Sequence, residues 1–85
     1  MSTATWVIAG QKSNTPPIVG KLYELHHSRK GTLKVQVDAV NNEWVTCTIV
    51  DGVAKAVMSY DVKYEGDELT VRNTLSSWIP LEEKP

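Results

Sequence analysis

The sequence predicts an all-β protein, a small antiparallel barrel of five to six strands with a one-turn 3-10 helix before the last strand. Over residues 31–40 and again over residues 43–50, apolar and polar side chains alternate with a period of two, and Asn41-Asn42 separates the two runs. Such alternation places one row of side chains on a core and the other in water, and asparagine tolerates the positive φ of a tight hairpin turn. The other segments are also short and end at turn residues, so closure into a barrel is the most economical arrangement.

Length and composition indicate one compact domain. The chain has 85 residues, of which 41% are hydrophobic and 22% charged, an ordinary globular composition. The single cysteine, Cys47, cannot form an internal disulfide and lies in a strand pattern as a small buried side chain. Residues 1–5 lack a basic start, and the apolar run that follows is too short for a signal peptide or a membrane span. We therefore expect a cytoplasmic protein without membrane association.

The first part of the chain has the composition of an arm. Residues 1–17 mix Ser, Thr, Gln, Asn and Gly and end in Thr15-Pro16-Pro17, which predicts an N-terminal arm or linker ahead of a β-barrel domain at residues 18–85. Within this arm, Trp6-Val7-Ile8 is an apolar triplet with the character of a short strand. It adds an edge strand either to the protein's own sheet or to the sheet of a partner.

Turn residues divide the rest of the chain into strands. Residues 20–26 predict the first strand, with Tyr23 and Leu25 on one face, and Asp51-Gly52 is a strong hairpin turn. Residues 53–64 fit both a helical i, i+4 stripe and a strand, and we interpret them as a strand because β-branched and aromatic residues predominate toward the end.

The last segments complete the pattern. Glu65-Gly66-Asp67 predicts a turn, residues 68–73 a short strand, and residues 74–78 a single 3-10 turn. Ile79-Pro80-Leu81 then predicts an edge strand, because proline cannot donate to a ladder. The alternation predicts that the following residues face the core: Leu33, Val35, Val37, Val45, Cys47, Ile49, Leu69, Val71 and Ile79. It predicts that Lys34, Gln36, Thr46 and Thr48 face outward.

This order of elements resembles that of SH3-like β-barrels over residues 18–82. The resemblance lies in the architecture: a first loop, a central hairpin pair, a short strand, a one-turn 3-10 helix and a terminal strand. The signature of the peptide-binding SH3 domains is absent, since residues 21–25 read Lys-Leu-Tyr-Glu-Leu and Glu43-Trp44-Val45 stands where those domains carry paired tryptophans. The resemblance implies a small binding module and assigns no particular family within the superfamily.

One loop concentrates positive charge and forms the candidate binding site. Residues 26–30 read His-His-Ser-Arg-Lys, and no acidic residue occurs between Glu24 and Asp38. Basic residues at a loop tip with aromatic residues nearby are suited to acidic or phosphate-bearing surfaces, although such a loop is often only solvated. The candidate binding residues are Tyr23, His26, His27, Arg29, Lys30, Lys34 and Trp44.

The sequence contains no catalytic, cofactor-binding or metal-binding signature. Adjacent His26 and His27 project apart in an extended segment, and no third ligand occurs at a recognised spacing. Ser28 beside His27 is only a sequence neighbour, and there is no glycine-rich phosphate loop. We therefore expect a protein that is not an enzyme and needs no cofactor.

The expected function is non-catalytic binding of another macromolecule, most naturally a protein, through the basic loop and exposed aromatic residues such as Tyr23 and Trp44. One alternative is nucleic-acid binding through the same loop, although a net charge of −1 gives little of the usual basic footprint. A second alternative is a small structural or accessory protein that self-associates through the Trp6 arm or through its edge strands.

Overall fold

The computed structural model describes residues 5–54 and 62–84, which form an all-β fold. The strands in this part of the chain are β1 (Thr5–Ile8), β2 (Leu22–His27), β3 (Gly31–Asn41), β4 (Trp44–Asp51), β5 (Glu68–Arg72) and β6 (Ser76–Lys84). A 3-10 turn, Asn73–Leu75, directly precedes β6. The predicted fold class, with antiparallel strands and a one-turn 3-10 helix before the last strand, is confirmed. The strand predicted over residues 53–64 falls mostly outside the described residues; within it, Ala54 and Lys63 pair as an isolated bridge.

The strands form one antiparallel sheet in the order β1-β6-β2-β3-β4-β5. The predicted closure into a barrel is not found among the described residues, because β5 pairs with β4 and β1 pairs with β6, while no ladder joins β5 to β1. The sheet nevertheless curls, since Trp6 of β1 lines the same cavity as Thr48 of β4 and Gly66 of the turn before β5. Strand twist and the bulges between β3 and β4 are the usual sources of such curvature.

The central hairpin has the predicted turn and the predicted faces. Asn42 adopts a φ of 56° between β3 and β4, the left-handed conformation that asparagine tolerates. Val35 and Ile49 are opposite each other on the buried face. Of the predicted core, the following residues are buried: Leu33, Val35, Val37, Val45, Cys47, Ile49, Leu69 and Val71.

The burial of Ile79 in β6 differs from the prediction. Trp78 is 1% exposed, whereas Ile79, expected in the core, is only half-buried. The Trp78 ring packs edge-on against Tyr23, with 5.9 Å between ring centroids, and its Nε1–H donates to Asn73 Oδ1 at 2.7 Å. The larger ring therefore takes the core position, because its one polar group has a buried partner there. The expected exposure of Tyr23 is also wrong, since its ring lies in this core.

The prediction that Pro80 lies on an edge strand is wrong, because β6 is between β1 and β2. In an antiparallel strand, the N–H and C=O of one residue point to the same neighbour. The Pro80 carbonyl accepts from the N–H of Ala9 at 2.8 Å, so the nitrogen of Pro80 also faces the N-terminal segment. That segment bulges away directly afterwards and rejoins β6 where Ser13 pairs with Trp78. Proline has no N–H to donate back to Ala9, so this pair keeps one backbone hydrogen bond, and the ladder between β1 and β6 ends there.

The N-terminal segment beyond β1 is held against β6 and the 3-10 turn. Ser13 exchanges two backbone hydrogen bonds with Trp78, of 2.9 and 2.8 Å. The Asn14 side chain donates to the carbonyls of Asn73 and Ser76, and Asn73 Nδ2 donates to the Asn14 carbonyl at 2.7 Å. Residues 5–8 add an edge strand to the protein's own sheet, which is one of the two alternatives expected for Trp6-Val7-Ile8.

Candidate functional site

The 3-10 turn joins two loops that are distant in sequence. The N–H of Ser28, in the basic turn between β2 and β3, donates to the carbonyl of Leu75 at 3.1 Å. The N–H of Asn73 donates to the carbonyl of Glu43, in the β3–β4 hairpin turn, at 2.7 Å. The two loops lie at opposite ends of β3, and these bonds attach each of them to the 3-10 turn. We call this region the turn surface; it comprises Arg29, Lys30, Trp44, Arg72 and Leu75.

His27 shapes the basic turn from inside. Its side chain is buried, and its Nδ1 accepts from the backbone N–H groups of Arg29 at 3.1 Å and Lys30 at 3.2 Å. Because Nδ1 accepts both of these hydrogen bonds, the proton of the neutral ring is assigned to Nε2. Burial, together with the charges of Lys30 and Arg29, lowers the pKa of His27. The imidazole is therefore a neutral cap for the turn and not a surface contact.

The His27 cap predicts a loss of stability in mild acid. Because the pKa of His27 is lower in the folded state, the unfolded chain takes up the proton first as the pH falls through 6.5. Above pH 6.5 the protonation of His27 costs the folded state nothing. Below pH 6.5 we expect the free energy of unfolding to decrease. Denaturant titrations between about pH 5 and 8 measure this slope.

His27→Asn keeps an acceptor near the Nδ1 position without a titrating ring, so its unfolding free energy should depend less on pH than that of the wild type. The matched variant His26→Asn removes the neighbouring imidazole and leaves the cap, and it should keep the decrease that His27 causes. Equal pH slopes for the wild type and His27→Asn would contradict this role.

Trp44 is the exposed aromatic residue of the turn surface. It is 44% exposed and is opposite Arg72 across β4 and β5. The Arg72 guanidinium carbon lies 4.9 Å from the ring centroid, and Nη2 lies 3.3 Å from Glu43 Oε1. Arg72 thus stacks on one face of the indole and is itself paired with a carboxylate, while part of the ring remains in water. Leu75, 42% exposed, adds an apolar side chain at the 3-10 turn.

Two of the predicted basic residues lie elsewhere, beside acidic partners. Lys34 is directly opposite Glu24 across β2 and β3, and its Nζ is 3.7 Å from Asp51 Oδ2. His26 Nε2 lies 3.2 Å from Glu24 Oε1, an ion-pair distance without the geometry of a hydrogen bond. The structure therefore divides the predicted set. The segments of Arg29, Lys30 and Trp44 are attached to the 3-10 turn, Lys34 and His26 lie beside acids, and Tyr23 and His27 are buried.

The arm covers the Tyr23–Trp78 pair. A cavity of about 230 Å³ lies there, and Pro16, Pro17 and Pro80 are among its lining residues together with the two aromatic rings. The N–H of Ile18 donates to the Tyr23 hydroxyl at 2.9 Å, which fixes the end of the arm over the ring. Tyr23 is predicted to be exposed because the sequence pattern assigns residues 1–17 to an arm. In the structure, the end of this arm covers the Tyr23 ring.

Sequence reasoning missed Arg72 and Leu75. Arg72 is the last residue of the short strand β5, and only the register of β5 on β4 shows that it stacks on Trp44. Leu75 reads as an ordinary apolar residue, and its exposure depends on how the 3-10 turn is oriented. The sequence offers one signal for this contact: Glu43 and Arg72 have opposite charges and lie at the ends of two predicted strands, where they could pair across the sheet.

Nucleophilic and metal chemistry have little basis in the described residues. Cys47 is fully buried, and burial first, with Asp38 and Glu68 adding to it, raises the pKa of its thiol to about 12. The thiol is therefore protonated at neutral pH and unreactive in the folded state. Over residues 5–54 and 62–84, no three His, Cys, Asp or Glu side chains are grouped to hold a metal ion.

Comparison of the chain with protein-family models, with curated proteins and with solved structures finds no match. No helix in the described part of the chain has the length and apolar character that crossing a membrane requires.

Proposed function

We propose that this protein is a non-catalytic module that binds another protein through the turn surface. The supporting observation is the pair of backbone hydrogen bonds by which the 3-10 turn joins the basic turn and the β3–β4 hairpin. The exposed side chains of Trp44 and Leu75 and the cationic Arg29 and Lys30 then belong to segments attached to the same 3-10 turn, which supports a shared binding surface. Aromatic anchors next to arginine are the residues that carry most binding energy in protein interfaces.

The chemistry of the turn surface favours an acidic segment with an apolar side chain as partner. Trp44 and Leu75 offer apolar contact area, whereas Arg29 and Lys30 attract carboxylates and set the orientation of approach. The predicted alternative, nucleic-acid binding, loses one of its cations, because Lys34 lies between Glu24 and Asp51. In the described part of the chain Arg29 and Lys30 have no acidic partner, but two such cations on a chain of net charge −1 give few phosphate contacts. We therefore propose a protein partner.

The test compares affinities of variants for the partner captured from the native host. Trp44→Ala should weaken binding by about 30-fold, equivalent to about 2 kcal/mol, because it removes the aromatic anchor. The double variant Arg29→Ala, Lys30→Ala should remain folded and bind more weakly, mainly through a slower association rate that depends less on salt. Val19→Ala is the matched control, since Val19 is 55% exposed and lies outside the turn surface.

Three results would contradict the proposal. Equal affinity of the wild type and Trp44→Ala would place the binding site elsewhere, and an equal loss in Val19→Ala would show that the effect is not specific to the turn surface. Anisotropy titration with a single-stranded oligonucleotide distinguishes the alternative. Tight binding that weakens steeply with salt, and that depends on Arg29 and Lys30, would identify a nucleic-acid module instead.

A further inference from the structure

We propose that β1 is a self-complementary edge through which two copies of this chain pair into one continuous antiparallel sheet. Within the described residues β1 is one end of the strand order, hydrogen-bonded to β6 on one side. The hydrogen bond from Ala9 N–H to the Pro80 carbonyl shows that the backbone groups of Val7 and Ala9 face β6. By alternation, the N–H and C=O groups of Trp6 and Ile8 face away from the sheet. In the described part of the chain, no backbone group bonds to them there.

The outward groups match a second copy across a two-fold axis. If Val7 of one copy is opposite Val7 of the other, Trp6 is opposite Ile8 of the second copy, and the same pair recurs by symmetry. Each of these pairs exchanges both backbone hydrogen bonds of an antiparallel ladder. Each also brings an indole against a β-branched side chain on one face, a favourable cross-strand combination. Ile8, 63% exposed, would then be covered.

The two edges of the sheet differ in the features that prevent such pairing. β5 carries charged residues at both ends, Glu68 and Arg72, and charge on an edge strand discourages pairing with other chains. β1 reads Thr-Trp-Val-Ile and has no charge, proline or glycine. A second copy at β1 also avoids strong repulsion, because Glu82 of the two copies would be three strand spacings apart, about 14 Å. That separation exceeds the Debye length of about 8 Å at physiological salt.

The expected dimer is weak, because four-residue edges bury much less area than a standard interface. We expect a dissociation constant between about 10 μM and about 1 mM. Sedimentation equilibrium at rising concentration of the full chain should show the mass approach twice that of the monomer. Hydrogen exchange followed by NMR should show the amides of Trp6 and Ile8 becoming more protected as the concentration rises.

Two matched variants test the geometry. Ile8→Glu places a carboxylate beside Trp6 of the second copy and near its Glu83, and it should remain monomeric at all concentrations. Val19→Glu adds the same charge at a similarly exposed residue outside β1, and it should dimerise as the wild type does. If Ile8→Glu proves unstable by thermal unfolding, a synthetic chain with N-methylated Ile8 removes the outward N–H and keeps the side chain.

The proposal is overturned by a constant monomer mass in the wild type or by concentration-independent exchange at Trp6 and Ile8. Dimerisation that survives in the folded Ile8 variant, or that is lost in both glutamate variants, overturns it as well, because either result places the interface outside β1. These outcomes are independent of Trp44 and the turn surface, so they leave the proposed partner-binding function to its own test.

Discussion

Replacing Asn73 by alanine should lower the free energy of unfolding by about 2–3 kcal/mol and the melting temperature by about 10 °C or more. Asn73 is buried, its Oδ1 accepts from Trp78 Nε1 at 2.7 Å, and its Nδ2 donates to the Asn14 carbonyl at 2.7 Å. Without that side chain, the indole N–H of Trp78 loses its partner inside the core, and a buried donor left unpaired costs its full desolvation energy. Denaturant titration of the purified variant measures the loss.

A double-mutant cycle separates this effect from simple loss of packing. Trp78→Phe removes the indole N–H, so Asn73→Ala should cost less in the Trp78→Phe background than in the wild type. Asn41→Ala, at an exposed position in β3, is the matched asparagine control and should change stability by less than about 0.5 kcal/mol. Strictly additive costs for the two core substitutions would show that the hydrogen bond contributes nothing.

Deletion of residues 1–10 should lower the melting temperature by about 10 °C, equivalent to about 2 kcal/mol. The deletion removes β1 and the hydrogen bond from Ala9 to Pro80, and it uncovers the edge of β6, where Leu81 is now only 8% exposed. Gly10 also leaves; its Cα lies so close to the Pro80 ring that an added Cβ would come within 2.9 Å of Cγ. Thermal unfolding at low micromolar concentration measures this effect on the monomer.

The control for the truncation is Ile8→Glu, which keeps the β1 backbone and its bonds to β6. It should retain most of the stability that the truncated chain loses, because Ile8 is mainly exposed in the monomer. A truncated chain that melts at the wild-type temperature would show that the N-terminal segment does not stabilise the fold.

The central hairpin could be predicted from sequence because its information is local. Strict alternation in β3 and β4 leaves one face apolar, and a shift by one residue would expose Val35 and Ile49 to water. The turn at Asn42 is likewise fixed by the backbone preference of a single residue type. Part of the candidate site followed from this: Arg29, Lys30 and Trp44 flank predicted strands, so their place at strand ends was predictable.

The alternation is lost in β6, and there the sequence allowed two faces. Trp78, Ile79, Pro80 and Leu81 are consecutive apolar residues, so no period of two marks which side meets the core. The tertiary structure decides which face of β6 is buried, since Asn73 supplies a buried acceptor for the Trp78 indole and the Tyr23 ring packs against it. Tyr23 is buried by a different long-range contact, the arm, at whose end the Ile18 N–H donates to the Tyr23 hydroxyl.

The sequence by itself therefore determined the strand class, the turns and the inward row of the central strands, because each depends on neighbours within a few residues. Only the tertiary structure decided the position of β6 inside the sheet, the burial of Tyr23 and the attachment of the basic turn and the β3–β4 hairpin turn to the 3-10 turn. Each of these depends on hydrogen bonds between residues far apart in the chain, such as Ser28 with Leu75 and Ser13 with Trp78. Local periodicity carries no information about such pairings, because they follow from the way the complete sheet excludes water and satisfies its backbone groups.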